Sequence, residues 1–335
     1  MNVGLIGFGY WGPNLARNIA QNNNLVLKSV CDINKKQLDI SRRLYPFVEV
    51  TTNPDNIIKD KNIDAVIIAT PVNQHFVLVK KALENNKHVL AEKPLTVNIR
   101  DAEYLIWLAG KNKLILMVDH IFMYNGVVKK IKELIDNDSL GEVQYIDSTR
   151  INLGIFQNDI NVIWDLATHD ISILNFLITE KPISVITTGK CHTGNNIENI
   201  AYITLNYQSN LIVHIHCSWS SPVKVRQMFI GGDKKMLIYN DIEPTEKLKI
   251  YDKTFMPGKE EDKHKILTDY RTGDVYIPKY DTIEPLQVVV QDFYRSVITG
   301  HQPLANGKNA LEITKIISAA NESLRLKGKE IIINY

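Results

Sequence analysis

The feature that most constrains the fold lies at the start of the chain, where a short apolar run is followed at once by three regularly spaced glycines. The run is residues 3–6, and Gly7, Gly9 and Gly12 follow it. A strand that ends in GxGxxG and leads into a helical pattern is typical of the first turn of a dinucleotide-binding fold. The helix N-terminus would offer N–H groups to a pyrophosphate. A glycine-rich turn with no ligand is the alternative.

A second feature is the acidic residue Asp32, at the end of the next apolar run. A carboxylate there can hydrogen-bond the ribose hydroxyls of the adenosine half of the cofactor. It also repels a 2′-phosphate, which favours NAD, although Lys35 and Lys36 soften the repulsion and leave NADP possible. The alternative is that Asp32 caps the following helix. Given the glycines upstream, we expect the ribose role.

The pattern of apolar residues differs between two parts of the chain. Residues 2–120 alternate apolar runs with helical patterns, as in βα units, whereas β-branched alternation dominates later. We therefore predict an α/β fold, with a doubly wound Rossmann domain at residues 1–120 and, at 121–335, an α/β domain with a large open antiparallel sheet. Residues 252–285 are weakly patterned and are predicted to be a loop. The predicted strands are 3–6, 25–31, 65–69, 88–91, 114–118, 142–151, 183–192, 201–207, 211–218, 225–231, 235–239 and 247–251, and the predicted helices are 14–21, 35–44, 73–85, 99–111, 127–136, 164–177, 286–299 and 309–327.

Composition excludes several classes. The 335 residues are too many for one hydrophobic core, so two domains are expected. The 39 Lys and Arg residues nearly balance the 37 Asp and Glu residues and are scattered along the chain, so nucleic acid is not expected as a partner. No apolar stretch reaches the roughly 20 residues of a membrane helix. The first residues already form a strand pattern, so we expect no signal segment and a cytoplasmic protein. Cys31, Cys191 and Cys217 are predicted to be buried thiols, with no disulfide and no metal site.

Two groups of residues could carry chemistry. Glu92-Lys93-Pro94 follows a strand, at the sheet edge where ligands bind in such folds, and a lysine can polarise or protonate a carbonyl oxygen. A surface lysine is the commoner case, and a cis Lys93-Pro94 bond is a hypothesis here. Asp165 and His169 lie four apart, so a helix puts both on one face. The Asp could orient the His while the His takes a proton from a hydroxyl, or the two could be a cap and a structural residue.

With the glycine loop, Glu92-Lys93-Pro94, and Asp165 with His169 in this order, the chain resembles the Gfo/Idh/MocA oxidoreductase family over essentially its whole length. The resemblance implies a catalytic Lys93 with Asp165 and His169 as its partners around a sugar hydroxyl, and an open sheet that forms homodimers or homotetramers. The family's Thr-Pro-x-x-x-His segment is matched at residues 70–75, which would lie near the nicotinamide. The predicted cofactor contacts are Gly7, Phe8, Gly9, Tyr10, Trp11, Gly12, Asp32, Thr70, Pro71, Asn73, His75, Glu92 and Lys93.

More narrowly, segments 9–14, 150–154 and 164–170 are similar to those of UDP-N-acetylglucosamine 3-dehydrogenases. That branch implies NAD-dependent oxidation of a C3 hydroxyl to a ketone, which an aminotransferase converts to an amine for lipid A, lipopolysaccharide or another cell-surface glycan. One departure is that many family members carry Gly-Gly shortly before the Asp, where this chain has residues 161–164, so the pocket need not match that of the free-sugar branches. The predicted substrate contacts are Tyr124, Asn125, Arg150, Asn152, His169 and Arg226, of which the arginines suit a diphosphate.

Three rival functions stay open. One is an NADPH-dependent reductase of a 3-keto deoxysugar nucleotide, which Asp32 disfavours. Another is a dehydrogenase of a free sugar or inositol. The third is a non-catalytic NAD-binding sensor, which would need neither Lys93 nor His169.

Overall fold

The chain divides into two compact units in the computed structural model, which describes residues 1–194, 196–257 and 268–335. The first unit is Met1–Tyr124 with Ile283–Thr314, and the second is Asn125–Thr282 with Lys315–Tyr335. The predicted division into 1–120 and 121–335 lacks the return of 283–314 to the first unit. Side chains hold that return segment, because Glu284 accepts hydrogen bonds from Arg17 at 2.6 and 2.8 Å and Asp292 accepts one from Tyr124 at 2.6 Å.

The first unit contains a six-stranded parallel sheet in the order β3-β2-β1-β4-β5-β6, which confirms the predicted doubly wound fold. The strand β3 and the helix α3 are additions to the prediction, being only three and four residues long. The elements are β1 (Asn2–Ile6), α1 (Gly12–Ala20), β2 (Val26–Cys31), α2 (Lys35–Leu44), β3 (Glu49–Thr51), α3 (Asp55–Ile58), β4 (Ala65–Ile68), α4 (His75–Glu84), β5 (His88–Ala91), α5 (Ile99–Lys111) and β6 (Leu116–Val118).

The parallel strands carry functional positions to one edge of this sheet. The first residue beyond each of five strands donates its N–H to the last carbonyl of the neighbouring strand, at 2.8–3.2 Å. These five residues are therefore fixed in a row at the carboxyl ends of the strands, where ligands bind in such sheets. They are Gly7, Asp32, Ala69, Glu92 and Asp119.

The second unit contains a nine-stranded sheet in the order β14-β13-β12-β11-β7-β10-β9-β8-β15. It is mixed and mostly antiparallel, because β7 and β10 pair in parallel. The predicted large antiparallel sheet is confirmed, with β7 and β10 as a parallel pair within it, whose crossover runs through a helix and two further strands. The elements are α6 (Gly126–Asp136), β7 (Val143–Leu153), α7 (Thr168–Leu177), β8 (Ser184–Lys190), β9 (Ile200–Asn206), β10 (Ile212–Ser218), β11 (Ser220–Gly232), β12 (Met236–Asn240), β13 (Leu248–Pro257), β14 (Thr268–Tyr276), α8 (Pro285–Thr299), α9 (Gly307–Arg325) and β15 (Ile331–Ile332), of which α8 lies in the first unit and α9 begins there.

Three further expectations can be compared with these elements. The loop predicted at 252–285 is wrong where β13 and β14 extend into it. β14 is an edge strand whose charged residues are exposed, and such residues weaken the apolar pattern of a strand. Residues 258–267 of the predicted loop lie outside the described ranges. Cys31 and Cys217 are buried, whereas Cys191 is partly exposed just beyond β8, so its predicted burial was wrong. Among the described residues, no helix is both long and apolar enough to cross a membrane.

A buried ion pair lies between β7 and α7 in the second unit. The Arg150 guanidinium donates to both Asp170 oxygens at 2.7 and 3.0 Å, and Ser148 donates to the same carboxylate at 2.9 Å. Attraction to Asp170 outweighs the effect of burial and raises the pKa of Arg150. The pair therefore ties the start of α7 to the middle of the sheet.

We expect Asp170→Ala to lower the free energy of unfolding by about 3–5 kcal/mol, because it removes the main counter-charge of a buried guanidinium. The double variant R150M/D170L removes both charges and should lose less. Urea denaturation measures both effects. A double variant at least as unstable as D170A would contradict this account.

Candidate active site

The glycine loop separates glycines that the fold requires from one that it does not. Gly7 has φ +99°, and a Cβ there would overlap the carbonyl oxygen of Ala69. A Cβ at Gly12 would overlap the carbonyl oxygen of Gly7. By contrast, a Cβ at Gly9 would meet no atom within 4 Å. The open space at Gly9 fits a pyrophosphate that approaches the backbone closely.

The loop leads into α1, whose first turn has no side-chain cap among the described residues. Its N–H groups are therefore suited to a phosphate. Phe8 has a buried side chain, so its cofactor contact would be through the backbone. Tyr10 is 89% exposed beside the loop. Trp11 turns inward, and its Nε1 donates to Oδ2 of Asp119 at 3.2 Å.

The carboxylate of Asp32 is fixed by two backbone donors. Phe8 N–H donates to Oδ2 and Asn34 N–H donates to Oδ1, both at 2.7 Å. The cap of α2 is Asn34, whose side chain accepts from Lys36 N–H at 3.0 Å, so the capping alternative for Asp32 was wrong. Each oxygen of Asp32 has lone-pair capacity beyond its backbone bond, which suits a pair of ribose hydroxyls.

The predicted nicotinamide segment is a turn beyond β4. His75 is buried, and its Nδ1 and Nε2 lie 2.8 Å from the carbonyl oxygens of Pro94 and Thr70. Burial lowers the pKa of His75, and the contacts with the carbonyl oxygens oppose that shift. The ring therefore holds two loops together by their backbones. Pro71 and Asn73 of this segment are exposed.

Acidic and basic groups cluster where β5 and β6 end. The Lys93-Pro94 bond is cis, as hypothesised. The Glu92 carboxyl is hydrogen-bonded to that of Asp119, which is 2% exposed. Burial and the Asp119 charge raise the pKa of Glu92 well above its usual range, and burial also raises the pKa of Asp119. His120 is 1% exposed, and burial together with the charge of Lys93 lowers its pKa to about 3, so it is neutral.

Asp119 and His120 are not among the predicted contacts. The available signal was an Asp-His pair directly after a strand of the same sheet. Several buried polar atoms along this edge have no hydrogen-bond partner among the described residues, namely Thr70 Oγ1 and both ring nitrogens of His120. Glu92 Oε1 and Asp119 Oδ1 have none beyond the contact between their two carboxyls. Buried polar atoms are nearly always bonded, so this edge fits the polar groups of a dinucleotide cofactor.

In the second unit, the predicted Asp165 and His169 lie where a π-helical turn, Ile163–Ala167, leads into α7. Such π turns recur at functional sites, and this one replaces the start of the predicted α-helix. Asp165 Oδ2 accepts a hydrogen bond from Trp219 Nε1 at 2.9 Å. His169 is half-buried in the first turn of α7.

Two predicted substrate contacts flank the end of the first segment of the first unit. Tyr124 is buried, and its hydroxyl donates to Asp292 at 2.6 Å and accepts from Ala305 N–H at 3.1 Å. Burial and the hydrogen bond to Asp292 raise the pKa of Tyr124. Asn125 begins the second unit, where its side chain caps α6 by accepting from Val127 N–H at 2.8 Å.

The remaining predicted contacts lie on the large sheet. Arg226 is the cross-strand partner of the ion-paired Arg150. Its side chain is 35% exposed and lies 3.4 Å from Asp241. Asn152 is half-buried near the end of β7. Arg226 thus offers a more accessible guanidinium than Arg150 does.

Comparison with known families decides between the classes that this geometry allows. Residues 1–120 match the oxidoreductase family with an NAD-binding Rossmann fold, and residues 128–238 match the GFO/IDH/MocA C-terminal domain. The chain belongs to the Gfo/Idh/MocA family. It is an NAD-binding oxidoreductase, which confirms the resemblance and the predicted cofactor.

The individual proteins that this chain is similar to are named for different substrates. Myo-inositol 2-dehydrogenase of Thermotoga maritima is 23% identical over 98% of this chain and 97% of its own. UDP-N-acetylglucosamine 3-dehydrogenase of Acidithiobacillus ferrooxidans is 27% identical over 62% of this chain and 64% of its own. The structure of the Acidithiobacillus enzyme matches with a TM-score of 0.78 at 20% identity, covering 97% of this chain and 98% of that one. Scyllo-inositol dehydrogenase of Lactobacillus casei, solved with NAD(H) and scyllo-inositol, matches with a TM-score of 0.80 at 18% identity, covering 99% of this chain and 98% of that one. These structural matches establish the shared fold.

The glycines give a matched pair of variants. Gly9→Ala should fold as the wild type does but bind NAD at least about tenfold more weakly, a loss of about 1.4 kcal/mol, because the methyl group enters the space left for the pyrophosphate. Gly7→Ala should instead lose stability, since its left-handed backbone alone costs about 1–2 kcal/mol. Urea unfolding and calorimetric NAD titration separate the two effects. Unchanged NAD affinity in G9A would contradict the assignment of this space.

Proposed function

We propose that this protein oxidises a secondary hydroxyl of a nucleotide-linked amino sugar, specifically the C3 hydroxyl of a sugar such as UDP-N-acetylglucosamine, with NAD as hydride acceptor. The observation that carries the proposal is the position of Lys93, the second residue beyond β5, next to the edge that also holds the glycine loop and Asp32. A structural lysine has no need of that edge, whereas a lysine that polarises a substrate oxygen does.

The chemistry divides between the cofactor and the chain. NAD, when bound, accepts the hydride that leaves the carbon. The hydroxyl proton must go to a base, and we assign that role to His169, with Asp165 as its orienting partner. Lys93 polarises the oxygen, or in a variant of the scheme accepts the proton itself. The product is a ketone, suited to a later transamination.

The nucleotide-sugar assignment is supported by the resemblance of segments 9–14, 150–154 and 164–170 and by the Acidithiobacillus relative. The accessible Arg226 is suited to a diphosphate. One observation favours a cyclic polyol as the second candidate. The Arg150 guanidinium, also predicted to bind a diphosphate, donates to Asp170 in a buried ion pair, and two of the relatives described above act on inositols.

NADH formation by purified protein tests the two candidates directly. We expect NADH absorbance to grow only when both NAD and UDP-N-acetylglucosamine are present, with an aminotransferase and glutamate as its amino donor added to convert the ketone to an amine. Turnover with myo- or scyllo-inositol alone would support the polyol candidate. If none of these substrates transfers deuterium to NAD, the result would support the sensor alternative.

Lys93→Ala in the same assay should lower kcat by about 10²–10⁴-fold while leaving NAD affinity intact, as expected for a group that acts on the reacting oxygen. Lys111→Ala is the matched control, because Lys111 is exposed at the end of α5. Retained turnover in K93A would remove Lys93 from the mechanism.

We also propose a homodimer or homotetramer that forms through the open face of the second unit's sheet. Strand register puts Tyr202, Ile212 and Phe229 on one face, and all three are exposed. Exposed apolar side chains gathered on one face are typical of an interaction surface. Sedimentation should show an oligomer that Phe229→Lys weakens, with Lys224→Ala as an exposed control on the same strand. A wild-type monomer at all concentrations would contradict the proposal.

A further inference from the structure

Two carboxyl groups, that of the buried Asp119 and that of the partly buried Glu92, contact each other at the edge of the first unit's sheet. Glu92 follows β5 and Asp119 follows β6, and their carboxyls are hydrogen-bonded. Asp119 Oδ2 also accepts from Trp11 Nε1 at 3.2 Å, and Asp119 Oδ1 and Glu92 Oε1 are buried with no partner among the described residues other than the facing carboxyl. Two carboxylates cannot both carry a charge at contact distance in such a site, so one of them holds a proton.

The arrangement identifies the ionised member. A Trp N–H can only donate, so it stabilises a charged acceptor at Asp119. The Glu92 carboxylic acid then donates its O–H to Asp119. Burial raises the pKa of Glu92 well above its ordinary value, in agreement with this assignment.

Among the described groups that act on the Glu92–Asp119 pair, Lys93 is the one with a positive charge. Lys93 adjoins Glu92 and acts electrostatically on both carboxyls. His120, beyond β6, is neutral. Tyr124 is a buried phenol whose pKa is raised, so it is also neutral. The glycine loop contributes only the uncharged indole of Trp11.

We propose that Glu92 and Asp119 form a one-proton, one-charge counter-ion for Lys93, and that they act on the reaction through Lys93 as positioning residues. The role in catalysis rests on the function proposed above, whereas the shared proton does not. Either carboxyl can carry the single charge when the other is made neutral. Neutralising both carboxyls removes the negative charge beside Lys93. The Asp119 carboxylate also accepts the hydrogen bond that ties Trp11 of the glycine loop to the end of β6.

Infrared spectroscopy of the cofactor-free protein in heavy water at neutral pH tests the shared proton without any substrate. We expect a protonated carboxylic acid band that disappears in Glu92→Gln. Asp39→Asn, which changes an exposed carboxylate on α2, should keep the band. A wild-type protein without the band, or an E92Q variant that retains it, would overturn the proposal.

Kinetics test the counter-ion role with the substrate that supports turnover. The E92Q/D119N double variant should lose kcat by about tenfold more than the product of the losses in E92Q and D119N, a coupling of about 1.4 kcal/mol. E92Q should also shift the alkaline limb of the kcat–pH profile, because it removes an ionisation that a packing defect would leave in place. Multiplicative losses with an unshifted profile would refute the counter-ion role and leave the proposed function standing.

Thermal unfolding of each variant checks that the fold persists. A double variant that fails to fold leaves the decision to the infrared result and to the pH profile of E92Q, each of which can refute the proposal alone. If no substrate named above is turned over, the infrared result still stands, so failure of the proposed function is distinguishable from failure of this inference.

Discussion

The first unit depends on one close backbone approach, where the chain leaves β1. Gly7 donates its N–H to Cys31 and leaves no room for a Cβ beside the carbonyl of Ala69. This contact brings the ends of three neighbouring strands together and directs the chain over them into α1. Because Gly12 in turn lies against the carbonyl of Gly7, the loop is closed on itself. Of the three glycines, Gly9 is the one at which a Cβ would meet open space, and that space is suited to the pyrophosphate of NAD.

The same edge of the parallel sheet brings several ionisable side chains close together, where like charges repel one another. Its residues are fixed in a row by backbone hydrogen bonds, so their charged side chains are held close to one another. Asp32 is stabilised there by two N–H donors. Glu92 and Asp119 instead reduce their mutual repulsion by sharing a proton. His120 adds no charge because it is neutral. Among these groups the balance leaves Lys93 as the cation, which a substrate oxygen or a bound nucleotide would meet.

The sequence predicted those elements whose boundaries depend on residues close together in the chain. The helices at 35–44 and 99–111 have the predicted bounds, because an asparagine caps each start and an apolar stripe covers each length. The tight turn at Gly7 and the position of Asp32 directly after β2 also follow from local sequence. The sequence could not reveal the return of 283–314, the parallel pairing of β7 with β10, or the contact of Glu92 with Asp119, since each joins segments distant along the chain. Strand β14 was missed because an edge strand tolerates charged residues.

Arg150 shows why a residue type alone does not assign a role. Its guanidinium forms a two-bond contact with Asp170, and that residue directly follows His169 in the first turn of α7. Removing either partner of a buried pair leaves an uncompensated charge, so the pair constrains the helix start more than it stabilises the fold. Ser148 adds a third bond to the same carboxylate. His169 therefore lies in a helical turn that this ion pair ties to β7. An arginine chosen from the sequence as a substrate contact contributes here by fixing the helix that presents the proposed base.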